Sequence, residues 1–503
     1  MAKLYVFGIG GTGSRVLKSL TMLLASGVDC PLDIVPVIID RDVQNGDFEQ
    51  VKKLIEKYIE VNKGMSSPKC NFFKTKMSLV GQTEATPGEL CLQWNQQDDK
   101  FDDFINYTTL DTSNKALVDM LFSRETLEMN MSHGFQGNPN MGCVVQNQFE
   151  GNHLFDTFAN HFQPNDRIFI ISSIFGGTGA SGFPLLRKLL HKTHVAADGN
   201  WGYIKNAPIG AITVLPYYNV ASAEKSDNSS VNAQDWNDKA KAALDYYISE
   251  QNHLDALYYI GDADKLTNYP HCKGGANQTD PAHIVEMVAA LSIIDFAKIP
   301  NNNFQITNQG NNHTTTYKEF GIEKETQDDF TMLYEETKKT VIEPLSRFLL
   351  FAKYMGYNAV VDSNPKTVKI TDTIAKKNND NHFDKTGITQ SYALNMGFDG
   401  SFRTDELQSL EYIQENYINW LIEMATQTRS FSPFKLEESR ADEFVKGTLN
   451  LWNKSNIPIV SAKSWERVTK VLKDEHASID NALSKSQQFL LLFSKATEKL
   501  LTY

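Results

Sequence analysis

Ile168-Phe-Ile-Ile-Ser-Ser-Ile-Phe-Gly176-Gly-Thr-Gly-Ala-Ser-Gly182 is a short apolar run that ends in a cluster of small residues, after which apolar residues recur at helical spacing from Phe183 to Leu190. The pattern predicts a buried strand, a tight turn and a helix. Gly176, Gly177 and Gly179 put no Cβ between the backbone N–H groups and a ligand, and the positive end of the following helix points the same way, so the turn suits a phosphate. Thr178 and Ser181, on either side of Ala180, add hydroxyl donors. The same small residues would also let a helix pack closely on a sheet, and one turn does not separate the two roles.

A second strand, turn and helix opens the chain. Leu4-Tyr-Val-Phe-Gly-Ile-Gly10-Gly-Thr-Gly13-Ser14 runs from an apolar strand into a glycine-rich turn that includes Gly11 and Thr12, and Val16, Leu17, Leu20, Leu23 and Leu24 follow at helix spacing. Gly8-x-Gly10-x-x-Gly13 fits the dinucleotide fingerprint, and Asp40 ends the next strand, Ile34 to Ile39, where a ribose-binding acid belongs. Close helix–strand packing is the competing role for these glycines.

The 503 residues allow two or three domains with a large core. No apolar run approaches the roughly twenty residues of a membrane span, and Met1-Ala-Lys-Leu-Tyr enters a strand with no signal-peptide pattern, so a cytoplasmic protein is expected. The five cysteines (Cys30, Cys70, Cys91, Cys143 and Cys272) have no paired metal spacing, as expected of reduced thiols, and no zinc site is predicted. Lys and Arg total 49 against 61 Asp and Glu, a net charge of −12, which argues against nucleic-acid or anionic-membrane binding through a basic face.

Residues 45–130 are polar and mixed, with a helical stretch near Glu49 to Val61, and read as an insertion. His133-Gly134-Phe-Gln-Gly137-Asn138-Pro139-Asn-Met-Gly142 is a further glycine-rich loop before a helical segment. Ile209 to Leu215 and Leu257 to Ile260 read as buried strands, with a helix from Ala240 to Ile248 between them. Strands alternating with helices predict an α/β fold with a doubly wound, mostly parallel sheet and ligands at the carboxyl ends of the strands. Pro281 to Phe296 reads as a strongly periodic helix, with Asp280 as its N-cap. Beyond about residue 300 a polar loop, Asn301 to His313, leads into a largely helical region with a small β component. Its helical patterns are Gln327–Met355, Asp405–Thr426, Arg440–Trp452 and Ser464–Leu500, with extended pieces at Asn358–Val361 and Thr367–Thr371. Phe489 to Phe493 is expected to pack back on the body. Two domains follow, 1–300 and 301–503.

Taken in order, these loops resemble the tubulin and FtsZ superfamily of GTP-binding cytoskeletal proteins, in particular its divergent bacterial branch. Gly10 to Ser14 is similar to the family's first phosphate loop, and Asp40-Arg-Asp42-Val-Gln44 to the Asn-Thr-Asp-x-Gln of the second. Gly137-Asn138-Pro139-Asn-Met-Gly142 resembles the third, which meets the terminal phosphate, and Gly176 to Gly182 the Gly-Gly-Gly-Thr-Gly-[ST]-Gly signature. Val214-Leu-Pro216-Tyr is similar to the strand before the ribose loop, and the helix 281–296 stands where the family has its central helix. The resemblance covers roughly residues 3 to 297. It implies bound GTP or GDP, with Mg2+ open as a companion ion, head-to-tail self-association, and protein partners through the helical C-terminal region.

Three departures qualify that inheritance. The base-binding positions fall on Asp262 and on Asn277 or Asp280, where a carboxylate can accept from guanine's two N–H groups. The 45–130 segment is far longer than in FtsZ. The family's acidic Asn-x-Asp-x-x-Asp loop falls on Asn301-Asn-Asn303-Phe-Gln-Ile306, and neither an amide nor Ile can act as a general base, so a GTPase activity is expected to be slow or absent. Three other readings stand beside this one. A dinucleotide-binding oxidoreductase explains only Gly8 to Gly13 and Asp40. An adenylating enzyme of the ubiquitin-activating type wants a catalytic cysteine and a paired-cysteine zinc site. A non-hydrolysing, nucleotide-bound scaffold fits the altered loop.

Overall fold

The computed structural model describes residues 2–94, 100–191, 201–220, 236–250, 254–262, 266–270, 272, 274–307, 314–320, 337–354, 405–436 and 464–501. In chain order these form β1 (Lys3–Ile9), α1 (Gly10–Ser26), β2 (Asp33–Ile39), α2 (Gly46–Met65), α3 (Phe101–Phe104), α4 (Thr112–Leu121) and α5 (Arg124–Leu127). Next come α6 (Pro139–Gln146), α7 (His153–His161), β3 (Arg167–Ser173), α8 (Gly177–His191), α9 (Trp201–Lys205), β4 (Ile209–Val214) and β5 (Tyr218–Val220). They are followed by α10 (Trp236–Glu250), β6 (Ala256–Ile260), β7 (Thr267–Tyr269), α11 (Ile284–Lys298), α12 (Asn301–Thr307) and β8 (Thr316–Phe320). A π-helical turn at Lys338–Ile342 leads into α13 (Glu343–Tyr354), and α14 (Asp405–Ala425), α15 (Ser464–His476) and α16 (Lys485–Leu500) complete the described elements.

The sheet has six strands in the order β2-β1-β3-β4-β6-β8, and every neighbouring pair is parallel. Strands buried on both faces read as continuous apolar runs, which is why Ile168 to Ile171 and Ile34 to Ile39 were legible as strands. Tyr5 and Phe7 of β1 meet the α7 rings Phe158 and Phe155 on one face. Val6 points to the other face, as does Phe169, its partner in register, and there Phe169 packs on Phe296 of α11. Helices therefore cover both faces, as doubly wound topology requires. The chain leaves β1 toward β2 on one side and takes up β3 on the other, so the carboxyl ends of β1 and β3 flank the topological switch point, the place where such sheets hold ligands.

Four elements differ from the sequence reading. The central helix begins at Ile284, not Pro281, because His283 caps it: its Nδ1 accepts from Val285 N at 3.1 Å and Glu286 reaches back to His283 N. That reciprocal pair outcompetes Asp280, whose carboxylate is held elsewhere. Asn301–Thr307 is helical, not a loop, fixed by Phe304 packing on Phe296 and by Arg167 donating to Asn301 Oδ1 at 2.6 Å. Ser464–Leu500 is two helices, since Ser484 and Gln487 form a capping box that starts α16 afresh. Within 45–130, α2 buries Phe48, Val51, Leu54 and Tyr58 in the core, and Met77 and Cys91 each bridge in parallel to β2.

The helices beyond residue 337 pack on this sheet layer. α14 lies along α2 and reaches α1, where Trp420 Nε1 donates to Ser19 Oγ at 3.1 Å. Phe489 and Phe493 of α16 do pack back on the body, against Phe351 of α13. The expected helix Arg440–Trp452, the extended pieces Asn358–Val361 and Thr367–Thr371, and residues 308–313 lie outside the described residues.

Candidate functional site

At the switch point β1 ends and α1 begins with no intervening loop: Gly10, at φ +73°, makes the turn. Ile9 caps α1 without a side-chain hydrogen bond, and no acid stands in the first turn. Its first N–H groups therefore lack intrahelical partners and carry the positive end of the helix dipole. α8, after β3, likewise has no acid in its first turn. The two helix starts share one cleft of about 1090 Å3, open space at its mouth included. Gly10, Gly11 and Thr12 line it together with Gly176, Gly177, Thr178 and Gly179. Asp40 and Asp42 from the end of β2, and His133 to Gly137, close the same end.

Close contacts hold the loops together. A Cβ on Gly10 would stand 3.2 Å from Thr178 Cβ, and one on Gly177 would stand 3.1 Å from Gly137 N. Part of the lining is aromatic: Phe175, Tyr218, Trp236 and Tyr269 line the cleft with Pro270. Tyr218 and Tyr269 stack at 4.8 Å with an interplanar angle of 26°, and Trp236 packs on Phe175 at 4.7 Å.

Several residues expected in the site serve other purposes. Gly13 is outside the cleft lining, since a Cβ there would meet Gly8 C at 2.5 Å; it is the packing glycine between α1 and β1. Ser14 is fully buried, and its Oγ finds no hydrogen-bond partner among the described residues. Ser181 Oγ donates to Gly177 O at 2.7 Å, a helical back-bond that withdraws the hydroxyl from any ligand. Asn138 caps α6, accepting from Met141 N. Pro139 and Ala180 line a separate cavity with Cys143 and Tyr247. There Pro184 lacks the amide that Ala180 O would take within α8, and Tyr247 OH donates to that carbonyl at 3.1 Å instead. Gln44 and Asn277 are exposed and outside the cleft lining.

The base-reading positions change most. Asp262 does not reach the cleft: it is buried against Arg429, which donates to both its oxygens, from NH2 to Oδ1 at 3.1 Å and from Nε to Oδ2. Asp280 does line the cleft, but as one of three carboxylates around Arg15, a residue the sequence reading passed over. Arg15 is 2% exposed and donates from Nε to Glu286 at 2.7 Å, and from NH1 to Asp280 at 3.2 Å and Asp47 at 3.3 Å. Its NH2 donates to Tyr217 OH at 3.0 Å and Thr12 Oγ1 at 3.4 Å. A buried cation needs carboxylate partners from elsewhere in the chain, as both Arg15 and Lys18 of α1 find here, and two cations within one apolar-periodic run were the available signal. Gln278 and Asn45, bonded to each other at 2.7 Å, also line the cleft.

Burial pushes the Asp40 carboxyl up to about 7, opposed by the amide of Asp42. It does the same to Asp47, also to about 7, against the pull of Arg15. Asp42 accepts from Gly275 N at 2.7 Å through Oδ2, while Oδ1 is buried with no partner among the described residues. No group of three or more His, Cys, Asp or Glu able to hold a metal occurs among the described residues, so an ion here would need ligand oxygens as well.

No protein-family profile matches the sequence, and no curated protein does. Solved structures with a similar trace include CetZ2 from Haloferax volcanii as a GTPgS-bound protofilament, 16% identical over 61% of this chain and 62% of that chain, TM-score 0.29. CetZ1 from the same organism, a GDP-bound monomer, is 13% identical over 61% and 63%, TM-score 0.30. CetZ from Methanosaeta thermophila is 15% identical over 61% and 56%, TM-score 0.23. The matches thus span about three fifths of those chains. At such scores the architecture rests on this chain's own strands and loops: an α/β sheet with a cleft at its switch point.

Proposed function

We propose that the cleft binds a nucleoside phosphate, GTP or GDP in line with the tubulin-like loop order. One observation carries the reading: two uncharged helix starts, at Gly10 and Gly177, converge with the His133–Gly137 loop on one cleft at the β1/β3 switch point. Paired helix N-termini favour a polyanion, and the aromatic wall offers a flat base a stacking surface. Phosphate beside Asp40 and Asp42 would be repelled without a counter-ion, and the unpartnered Asp42 Oδ1 suits a cation such as Mg2+ that shares phosphate oxygens.

In the same reading the chain self-associates head to tail, with 1–300 as the nucleotide-binding domain, extended by the sheet strand β8, and the helices beyond residue 337 open to protein partners in the cytoplasm. Hydrolysis is slow or absent, which makes a nucleotide-bound scaffold the second reading. α12 favours it, since Asn301 to Asn303 offer exposed amides and no carboxylate. The dinucleotide and adenylating alternatives lose ground because the Gly137 and Gly176 loops, coincidental under either, share the cleft with Gly10. Denaturing purified protein and identifying the released small molecule by mass spectrometry tests the proposal. GTP or GDP is the expected product; NAD, or adenine nucleotides alone, would overturn it.

A further inference from the structure

α4 is oriented against the usual rule for an amphipathic helix. Asp119 accepts from Tyr107 OH at 2.7 Å and Lys115 donates to Thr108 O at 2.9 Å, so its charged face lies against its own segment. Leu117, Met120 and Leu121, at the i, i+3, i+4 spacing that shares one helix face, are 53%, 84% and 61% exposed. No residue of α4 is buried. A surface helix ordinarily turns its apolar stripe to the core, and a contiguous exposed apolar face marks a contact.

A complementary surface lies on the same chain. The cavity between α6, α8 and α10, about 860 Å3 with open space at its mouth included, is lined by Ile174, Pro184, Leu185, Ala242, Tyr246 and Tyr247 among others. Lys239 is the one charged residue of its lining, and no carboxylate lines it. Residues 100–130, which carry α4, hold six acids and three bases. We propose that α4 of one copy seats Leu117, Met120 and Leu121 in this groove of a second copy, a helix-in-groove contact between subunits. The charges on the two sides agree with that occupant. They argue against a membrane surface, for which the polar face of an interfacial helix is rich in Lys and Arg. The contact needs neither α12 nor a nucleotide, so it stands apart from the head-to-tail association proposed above.

Cys143 is exposed and lines the groove, which gives the test a native anchor. Full-chain protein carrying Met120→Cys, oxidised with diamide, should form a disulfide-linked dimer in which peptide mapping joins position 120 to Cys143. Adding Cys143→Ser should abolish that dimer. In the otherwise native chain, Met120→Asp and Ala242→Glu, both at exposed positions, should each weaken self-association by about tenfold, the loss expected of a central interface side chain. The readout is sedimentation without added nucleotide, with melting temperatures unchanged. Asn302→Arg, on the head-to-tail segment, should leave the cross-link intact, so failure of one contact is told from failure of the other. Native protein that stays monomeric, a bridge confined within one chain, a bridge between the two 120 positions, or association indifferent to Met120→Asp would overturn the proposal.

Discussion

Asp262, just past β6, and Arg429, just past α14, form a buried ion pair across 167 residues of sequence, with Arg429 donating to both carboxylate oxygens. The pair ties the end of a central strand to the helical second half, beside Gln427, which donates to Ala282 O, and Glu423, which accepts from Ala282 N. Position in sequence pointed to a base-binding role for Asp262; its partner assigns it to the join.

Breaking this pair should cost stability more than binding. Arg429→Met would strip a buried carboxylate of the guanidinium that holds both its oxygens, a loss of about 3–5 kcal/mol. Urea unfolding should show that drop, while the nucleotide released from the surviving folded protein should be unchanged. Loss of ligand from a protein of native stability would restore Asp262 to the site.

The two functions proposed for glycine coincide at Gly179, which lines the cleft and also packs on β3, and come apart at Gly11. A Cβ on Gly179 would stand 2.7 Å from Ser173 O and 2.9 Å from Ser173 N, so Gly179→Ala should destabilise by about 1–3 kcal/mol through overpacking. Gly11 lines the cleft and its Cβ would meet only Arg15 NH1, at 3.5 Å. Gly11→Ala should therefore keep or raise the melting temperature, since alanine favours a helix by about 0.5–1 kcal/mol, while lowering the nucleotide recovered on denaturation. Unfolding of the Gly11 variant would show that this turn, too, exists only for packing.

The fold was legible where local pattern and burial agree. Ile168 to Ile171 and Ile34 to Ile39 are apolar on both faces because helices cover both, and the turns at Gly10 and Gly176 mark where strand periodicity gives way to helix. Less legible was what a side chain does at long range. Ser181 and Thr178 look alike in sequence, yet one bonds back into its helix and the other lines the cleft. Arg15 and Asp280 are 265 positions apart, and nothing local to either predicts the other. The α11 start was misplaced because Asp280-Pro281 is a good cap locally, until Arg15 takes the carboxylate and His283 with Glu286 supplies a better one.

His283 predicts a pH response. It is fully buried, and burial pushes its imidazole down to about 4. The unfolded chain then binds a proton near pH 6.5 that the folded chain refuses, so this residue removes stability as pH falls from about 6.5 to 4, by up to about 3 kcal/mol. Asp40 and Asp47, raised to about 7, run the other way and lose stability as pH rises toward 7, so total stability is not the readout. The readout is the difference between His283→Asn, which keeps a capping acceptor, and native protein. That difference should move in favour of the variant between pH 7 and 4.5. A flat difference would mean that the imidazole titrates normally.

A head-to-tail contact is heterologous and does not close on itself, so it builds filaments whenever the two faces match. The segment expected to meet the next subunit's nucleotide begins in α12, where Asn301, Asn302 and Asn303 are exposed while Phe304 and the Arg167–Asn301 bond anchor the turn. Amides can bridge to a neighbour but cannot activate water. Asp295, the nearest acid on α11, is already engaged by Tyr258 OH at 2.7 Å and by Lys318. Nucleotide should therefore promote sedimentation of the full chain, and phosphate release should stay slow as assemblies accumulate. Asn302→Arg and Asn303→Arg, which place charge on an exposed helix face without touching the anchor, should reduce sedimentation while leaving the melting temperature and nucleotide binding intact. Phosphate release that rises steeply with protein concentration would show that acids from another segment complete a working site between subunits, and a protein that stays monomeric with GTP bound would remove the head-to-tail contact altogether.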